Sequence, residues 1–303
     1  MSIIMCHYFH DCKKYKKVQG SIDINDVEKI FLDKKYNVIS VDKYIEKMEN
    51  NNLKKNEICF SFDDGLKEQY ELAYKLLEKY NVKGLFNINT MPLVGQVDKL
   101  ELYRYYRNYC CDNLEDFYRK FFDQVKKILK NKYDEICLNL DFNKYLEKSI
   151  FYTYSDRKFR YFRDEVLKEN YNKIMDILIK NELDLAYGKL ELWISNEELR
   201  RLSKNGHLIG LHTHSHPTNL DKLTYEKQRN EFEKNKEILE KIIEKKVEIV
   251  AYPCGKYNNE TFEIMKELKI KYGLAATTFE KIENNLLLKR IDIADFIKEY
   301  EEN

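Results

Sequence analysis

Short apolar segments alternate with amphipathic segments along the chain. The apolar segments are five to eight residues long and rich in β-branched and aromatic side chains: SIIMCHYF, YNVIS, EICFSF, KGLFNI, HLIGLH, VEIVAY, YGLAAT and LLLKRIDI. Such runs predict buried strands. Most of the gaps predict helices; residues 67–80 place their leucines on one helical face, and Ser195 and Glu198 have the spacing of a capping box.

Strands that alternate with helices predict a parallel sheet with right-handed crossovers, and seven or eight such units favour closure into a barrel. An open doubly wound sheet is the alternative. Residues 93–194 interrupt the alternation, because they are too long for a βα connection, mostly helical in pattern and rich in Tyr and Phe. We therefore expect an α/β barrel over residues 1–92 and 195–303, with residues 93–194 as a helical insertion packed on it.

The aromatic stripes of the insertion are typical of a helical core, although a lid, a sugar-stacking surface or a homo-oligomer contact is also open. The chain balances 53 Lys and Arg against 52 Asp and Glu, for a net charge of +1. No block of one sign is present, which argues against nucleic acid and anionic membranes as partners. A neutral or zwitterionic small molecule fits this surface better.

The first residues, MSIIMCHYFHDCKKYKK, contain neither a signal-peptide core nor a membrane span. The seven cysteines are an odd number without CxxC spacing. They therefore predict reduced thiols rather than a disulfide framework or a thiolate zinc site. Together these features predict a cytoplasmic protein.

Three of the six histidines lie within the segment GLHTHSHP, directly after a predicted strand. His212 and His216 are four residues apart and can close on one ion, whereas His214 should point elsewhere, as a supporting or exposed residue. Asp63 and Asp64 follow another predicted strand. Since the carboxyl ends of barrel strands carry active sites, these groups are expected to meet.

Two imidazoles and one carboxylate leave coordination positions open, as catalytic zinc sites do. No carboxylate lies between His212 and His216, so a base must come from another strand, and Asp63 beside Asp64 is the natural candidate. An iron oxygenase is a competing use of such a triad, but its acid usually lies close to the first histidine. Here the acid lies 148 residues upstream.

A third segment, VEIVAYPCGKYNNE, follows a predicted strand. Its simplest interpretation is a plain βα turn. Its functional interpretation is a rigid loop in which Tyr252 and Pro253 border the substrate and the backbone N–H of Cys254 faces a developing oxyanion.

In combination, SFDDG at 61–65, HTHSHP at 212–217 and AYPCG at 251–255 resemble the first three motifs of the polysaccharide deacetylase superfamily. This group is also called the NodB homology domain or carbohydrate esterase family 4. The resemblance covers roughly residues 1–92 and 195–295. It implies a deformed (β/α) barrel of seven or eight strands that hydrolyses an N-acetyl group on a sugar with a divalent metal, expected to be zinc. It also implies roles for individual residues: Asp63 as general base, Asp64, His212 and His216 as metal ligands, and the Cys254 amide as oxyanion donor.

The chain departs from the family where a late Leu-x-His motif normally supplies the general acid. No histidine follows His216. His7, at the end of the first predicted strand, is the preferred replacement, and His10 or Asp11 is next. Alternatively, Asp63 returns the proton that it took.

The arginine of the third motif, which orients the base, is also missing from residues 248–255. Arg290 in LLLKRID is the candidate to replace it, and Arg290 and His10 are also candidates for substrate contact. The long insertion is absent from compact members, so substrate size does not carry over.

These features predict a cytoplasmic, metal-dependent N-deacetylase. Its expected substrate is an acylated amino sugar, as an intracellular nucleotide- or lipid-linked precursor of a surface glycan. Two alternatives stay open: an inactive sugar-binding protein that kept the metal site, and a related amidohydrolase acting on a non-sugar amide.

Overall fold

The computed structural model describes residues 2–147, 152–168, 170–182, 190–276 and 284–301. The chain forms two compact units, Met1–Asp98 with Glu191–Asn303, and Lys99–Leu190. The second unit is the insertion, and its bounds lie a few residues inside the expected 93–194. The first bound lies later in the chain than expected because Leu93 packs against the core of the first unit. On the other side, the buried Ile194 donates its N–H to Gly65 O at 2.9 Å.

The strands of the first unit pair in parallel throughout. In chain order they are β1 Ser2–Cys6, β2 Tyr8–His10, β3 Ser21–Asp23, β4 Asn37–Val38, β5 Glu57–Phe62, β6 Leu85–Ile88, β7 Leu208–Leu211, β8 Ile249–Ala251, β9 Tyr272–Leu274 and β10 Arg290–Asp292. The main sheet has the order β10-β1-β5-β6-β7-β8-β9, with β4 on β5. Leu288, just before β10, forms a parallel bridge with Leu274 of β9. Seven strands therefore form a nearly closed barrel, which confirms the predicted barrel and excludes the open sheet.

The first apolar segment forms two strands where one was expected. It breaks at His7, so β1 enters the barrel while β2 pairs with β3 in a separate two-stranded sheet. The break matters for function, because it leaves His7 at the carboxyl end of β1.

Helices follow most strands of the barrel and make up most of the insertion. In chain order they are α1 Ile24–Leu32, α2 Val41–Glu49, α3 Lys75–Lys79, α4 Lys99–Tyr105, α5 Leu114–Leu129, α6 Asn131–Asn139, α7 Tyr154–Tyr161, α8 Asn170–Glu182, α9 Asn196–Lys204, α10 Tyr225–Ile243, α11 Asn259–Glu267 and α12 Ile293–Glu301. Wider π-type turns extend three of them, at Gln69–Tyr74, Tyr106–Cys110 and Phe162–Leu167. The capping box of Ser195 and Glu198 is present at the start of α9. No helix in the described ranges is long and apolar enough to cross a membrane.

The barrel core is built from strands that are buried on both faces. Every residue of β5 is buried, and Phe62 stacks on Phe86 of β6 with ring centroids 4.7 Å apart. Burial of each such side chain contributes about 1.5 to 3 kcal/mol. This packing fixes the carboxyl ends of β5 and β6, which carry the polar groups described below.

The insertion has its own aromatic core. Phe159 of α7 lies 5.3 Å from Phe117 and 5.0 Å from Phe121 of α5, centroid to centroid, in edge-to-face contacts. All three rings are buried. The prediction that the aromatic stripes form a core is confirmed for these residues.

Candidate metal centre and active site

Three side chains converge where β5 and β7 end. Asp64 Oδ1 lies 3.2 Å from His212 Nε2 and 3.2 Å from His216 Nε2. One ligand atom from each residue lies within 4.8 Å of the other two. The sequence separates these residues by up to 152 positions, and the parallel barrel brings them together because the strands end at the same rim.

The residues present fit a metal ion. Asp64 Oδ1 is buried and has no hydrogen-bond partner among the described residues, although two imidazole nitrogens lie close to it. Ligand atoms about 2.1 Å from a shared zinc ion lie about 3.0 to 3.4 Å apart for octahedral to tetrahedral angles. The 3.2 Å separations lie within that range, so the three atoms fit a shared ion.

The hydrogen bonds of His212 orient it as a ligand. Its Nδ1 lies 2.8 Å from Ala251 O, and a carbonyl only accepts, so Nδ1 carries the proton. Nε2, on the side of the ring that faces Asp64, is then the atom that can bind an ion. The His212 backbone N–H donates to Asn235 Oδ1 at 3.0 Å, which fixes the loop. Asn235 lies on α10, and nothing in its local sequence predicted this role.

The backbone of both ligand loops takes the left-handed conformation at non-glycine residues. The φ angles are 79° at Asp64, 62° at Thr213 and 53° at His216. Such positions cost about 1 kcal/mol or more each and cluster at functional sites. The His216 N–H donates to Thr213 Oγ1 at 3.1 Å, a bond that stabilises the turn and aims the second imidazole.

Asp63 is buried beside this group and is held by two donors. Arg290 Nη1 and Asn87 Nδ2 each donate to Asp63 Oδ1 at 2.7 Å. Burial raises the pKa of Asp63, but the Arg290 guanidinium and the nearby imidazoles of His212 and His7 outweigh it, so that the pKa lies well below its usual range. Asp63 is therefore a carboxylate at neutral pH.

Asn87 was missed by sequence reasoning. It lies within the apolar strand β6, and its side chain is buried. A polar side chain inside a buried strand requires a partner, and that was the signal available in KGLFNI. Gly210 on the neighbouring strand makes room for it, because a Cβ at Gly210 would lie 2.1 Å from Asn87 Oδ1.

His7 lies at the mouth of this arrangement. Its Nε2 is 3.9 Å from Asp63 Oδ2, and its side chain is 31% exposed, so solvent and ligands reach it. Gln69 Nε2 donates both to His7 O at 2.9 Å and to Asp63 O at 2.5 Å. This amide, also unforeseen from the sequence, ties the two backbones together.

The loop after β8 matches the expected site only in part. Cys254 is exposed with a φ of 53°, as a turn that redirects the backbone requires. Tyr252 is buried, and its hydroxyl donates to Leu286 O at 3.1 Å. Pro253 is buried as well. Both side chains pack inward and shape the turn, and their contact with substrate stays a prediction.

The remaining polar candidates have hydrogen-bond partners outside the group of three candidate ligands. His10 is buried, with Nδ1 2.9 Å from Ser21 Oγ and Nε2 3.9 Å from Asp23 Oδ2, so it belongs to the β2–β3 sheet. Asp11 accepts three backbone N–H bonds from residues 13–15. These bonds give both residues a local structural role, and their roles as acid or substrate contact stay predictions. His214 is buried rather than exposed, with Nδ1 2.9 Å from Thr90 Oγ1.

Replacement of Arg290 should reduce both stability and any activity that depends on Asp63. Arg290 is 2% exposed, and its Nε also donates to Ala275 O at 3.0 Å. Arg290→Gln leaves a buried carboxylate without its counter-charge, which costs about 3 to 5 kcal/mol. Thermal or urea unfolding measures the loss. The exposed pair of Arg229 with Glu233 gives the control, since Arg229→Gln should change stability by under about 1 kcal/mol. Equal effects of the two substitutions would contradict the role given to Arg290.

A parallel barrel with this group of side chains at its carboxyl rim is the arrangement that the resemblance to the deacetylases implies. The profile of the family described as Polysaccharide deacetylase matches residues 143–273. This match spans less than half of the chain, and it agrees with the resemblance of the sequence motifs to the polysaccharide deacetylase superfamily.

Comparisons with individual proteins agree with this class. The chain is 28% identical over 85 residues to "Putative polysaccharide deacetylase YxkH" of Bacillus subtilis (strain 168), a match that spans 28% of this chain and 29% of that protein. The deacetylase PplD of Streptococcus pyogenes, solved in complex with acetate, has a TM-score of 0.56 and 18% identity, over 96% of this chain and 91% of its own. A de-N-acetylase from Aggregatibacter actinomycetemcomitans has a TM-score of 0.55 and 15% identity, over 99% and 98% of the two chains. The structural matches show a shared fold.

Proposed function

We propose that this chain is a metal-dependent N-deacetylase that acts on an acylated amino sugar. The observation that carries the proposal is the placement of one Asp64 oxygen 3.2 Å from two imidazole nitrogens, directly beside the buried carboxylate of Asp63. A binding protein has no use for an ionised base at that position. A deacetylase requires both parts, an electrophilic centre and a base.

Asp64 Oδ1, His212 Nε2 and His216 Nε2 would hold the ion. Two imidazoles and a carboxylate suit zinc and leave coordination positions for ligands. When bound, a divalent ion supplies Lewis acidity, polarising an amide carbonyl and lowering the pKa of water to about 7.

Asp63 would act as the base through Oδ2. Its other oxygen, Oδ1, already accepts hydrogen bonds from Arg290 and Asn87, so Oδ2 is the atom that can receive a proton. The two donors also fix the carboxylate plane, which would keep Oδ2 directed at the attacking water. Attack of that water on the amide carbon forms the new C–O bond.

Collapse of the tetrahedral species breaks the C–N bond and requires a proton on the departing nitrogen. His7 Nε2 lies 3.9 Å from Asp63 Oδ2 and would give that proton and then regain one from Asp63. The backbone N–H of Cys254 would donate to the oxyanion, as the family resemblance implies. The products are a free amine on the sugar and acetate.

The proposed substrate is a nucleotide- or lipid-linked amino sugar used in surface glycan biosynthesis. The seven cysteines carry thiols rather than disulfides, which is typical of a reducing compartment and supports action on a cytoplasmic precursor. The nearly even charge balance agrees with a small substrate rather than a charged polymer.

Metal analysis of the purified protein, combined with an acetate-release screen, tests this function. The screen covers N-acetylated nucleotide sugars, free N-acetylated sugars and simple non-sugar acetamides, each with and without added zinc. Zinc-dependent acetate release from a sugar supports the proposal. Bound metal without acetate from any of these compounds would favour a sugar-binding protein, and release from the non-sugar amides alone would favour a different amidohydrolase.

His7→Ala should lower kcat by about 10² to 10³, because a positioned acid contributes about that much. Metal content should be unchanged, since His7 is not among the three convergent ligand atoms. His10→Ala is the control, because His10 bonds to Ser21 in the β2–β3 sheet. A kcat for His7→Ala equal to that of the parent protein would remove His7 from the mechanism.

A further inference from the structure

The loop that carries both candidate histidine ligands is held by a helix that supplies no ligand itself. We refer to residues 212–216 as the histidine loop. It follows β7, and α10 comes later in the chain and packs back against β7. Glu231 and Asn235 are four residues apart on α10 and therefore lie on one face of the helix. Both side chains bond to the histidine loop.

Glu231 accepts three hydrogen bonds from the middle of the histidine loop. Its Oε2 accepts the backbone N–H of His214 at 3.0 Å and that of Ser215 at 2.7 Å. Its Oε1 accepts the Ser215 hydroxyl at 2.7 Å. The His214 N–H also reaches the backbone oxygen of Glu231 at 3.1 Å. One carboxylate therefore binds donors that lie between the two candidate ligands.

Asn235 holds the start of the same loop and ties it to a second strand. Its Oδ1 accepts the backbone N–H of His212 at 3.0 Å. Its Nδ2 donates to Ile88 O at 2.9 Å and to Thr90 Oγ1 at 3.2 Å, at the carboxyl end of β6. The side chain is fully buried, so water does not compete for these bonds. Asn235 therefore fixes the point at which the loop leaves β7.

The histidine loop requires such support because its backbone is strained. Thr213 and His216 take left-handed φ angles of 62° and 53°, which non-glycine residues keep only where the surrounding structure imposes them. The bonds to Glu231 involve the two residues between these positions. Without them the loop would relax, and the His216 imidazole would leave its place 3.2 Å from Asp64 Oδ1.

We propose that Glu231 is a positioning residue that fixes the histidine loop and thereby sets the affinity of His212 and His216 for a divalent ion. Asn235 anchors the start of the loop. Outer partners of metal ligands change metal affinity by about 10- to 100-fold, because a preorganised loop loses less conformational freedom when the ion binds. The inference rests on the proposed function, since it needs a metal at this site, but its test measures zinc affinity and amide exchange without turnover.

Zinc titration of the metal-stripped full chain against a competing chelator tests the role of Glu231. Glu231→Met removes the carboxylate acceptors at similar size, and the zinc Kd should rise by about 10- to 100-fold. Glu231→Gln should show a smaller rise, because its amide oxygen can still accept both backbone N–H groups. Glu233→Met is the matched control, since Glu233 lies on the same helix, is 45% exposed and pairs with Arg229. Circular dichroism establishes that each variant is folded.

Hydrogen exchange in the metal-free chain separates this local role from a general loss of stability. The Ser215 amide should exchange about tenfold faster or more in Glu231→Met, because it loses a charge-assisted acceptor. The amides of β5 should keep the rates of the parent protein. Equal acceleration at Ser215 and in β5 would mean that the substitution destabilises the whole barrel, and the positioning role would be overturned.

Weaker zinc binding in Glu231→Met, partial recovery in Glu231→Gln and an unchanged Kd in Glu233→Met together support the proposal. Equal Kd values in Glu231→Met and the parent protein, or equal losses in Glu231→Met and Glu233→Met, would overturn it. The deacetylase activity is judged separately. Zinc binding that depends on Glu231, without acetate from any screened compound, would support this inference and contradict the activity. Acetate release by the parent protein, with an unchanged zinc Kd in Glu231→Met, would do the reverse.

Discussion

Asp63→Asn is expected to lower acetate release by at least about 10³-fold while the protein keeps its metal. The substitution preserves the size of the side chain. The asparagine oxygen can still accept a hydrogen bond from one donor, but the amide cannot act as a base. A positioned general base contributes about 10² to 10⁴ in rate. Steady-state kcat, with metal content measured on the same sample, gives the result.

The same substitution leaves the buried guanidinium of Arg290 without its counter-charge, so the variant should also be less stable by about 3 kcal/mol or more. Activity is therefore compared well below the unfolding temperature of the variant. Asp26→Asn, at an exposed position paired with Lys29, provides the control for loss of a carboxylate. Full activity in folded Asp63→Asn would mean that the base lies elsewhere.

Asp64→Ala is expected to lose the metal itself. The carboxylate supplies the one atom that both imidazoles face, so its removal takes away a charged ligand and one corner of the site. Metal affinity should fall by more than about 100-fold, beyond the loss seen when only an outer partner of a ligand is removed. Metal content after dialysis measures this directly.

The unfolding temperature gives a second measurement of metal binding. A metal that binds only the folded chain at 100 times its Kd stabilises it by about 2.7 kcal/mol. Added zinc should raise the unfolding temperature of the parent protein and of Asp63→Asn, but not that of Asp64→Ala. An equal rise in all three would place the ion at a different site.

The sequence was sufficient for the parts of the fold that local patterns encode. Each predicted apolar run contains a barrel strand or lies beside one, because strands buried on both faces must be continuous in apolar residues. The proximity of the motif residues was predictable from one rule, that parallel barrel strands end at the same rim. It applies to Asp63, Asp64 and His212.

Features that depend on pairing between distant segments were not predictable in the same way. The β2–β3 sheet gives His10 a structural partner in Ser21, and no local pattern specifies that pairing. Tyr252 turns inward because a carbonyl of Leu286 accepts its hydroxyl, a contact across 34 positions. Asn87 and Gln69 were visible only as polar residues in otherwise ordinary strand and helix patterns.

The insertion also affects how the protein is made. Strands β6 and β7 are neighbours in the barrel, with Leu85 opposite Leu208, yet the ribosome completes the insertion between them. At about 5 to 20 residues per second, roughly 7 to 30 s separate the synthesis of Asp64 from that of His212. During that interval the nascent barrel has an unpaired edge at β6 and only one of the three side chains proposed to hold the ion, so the proposed site can bind a cation only after the second half is translated.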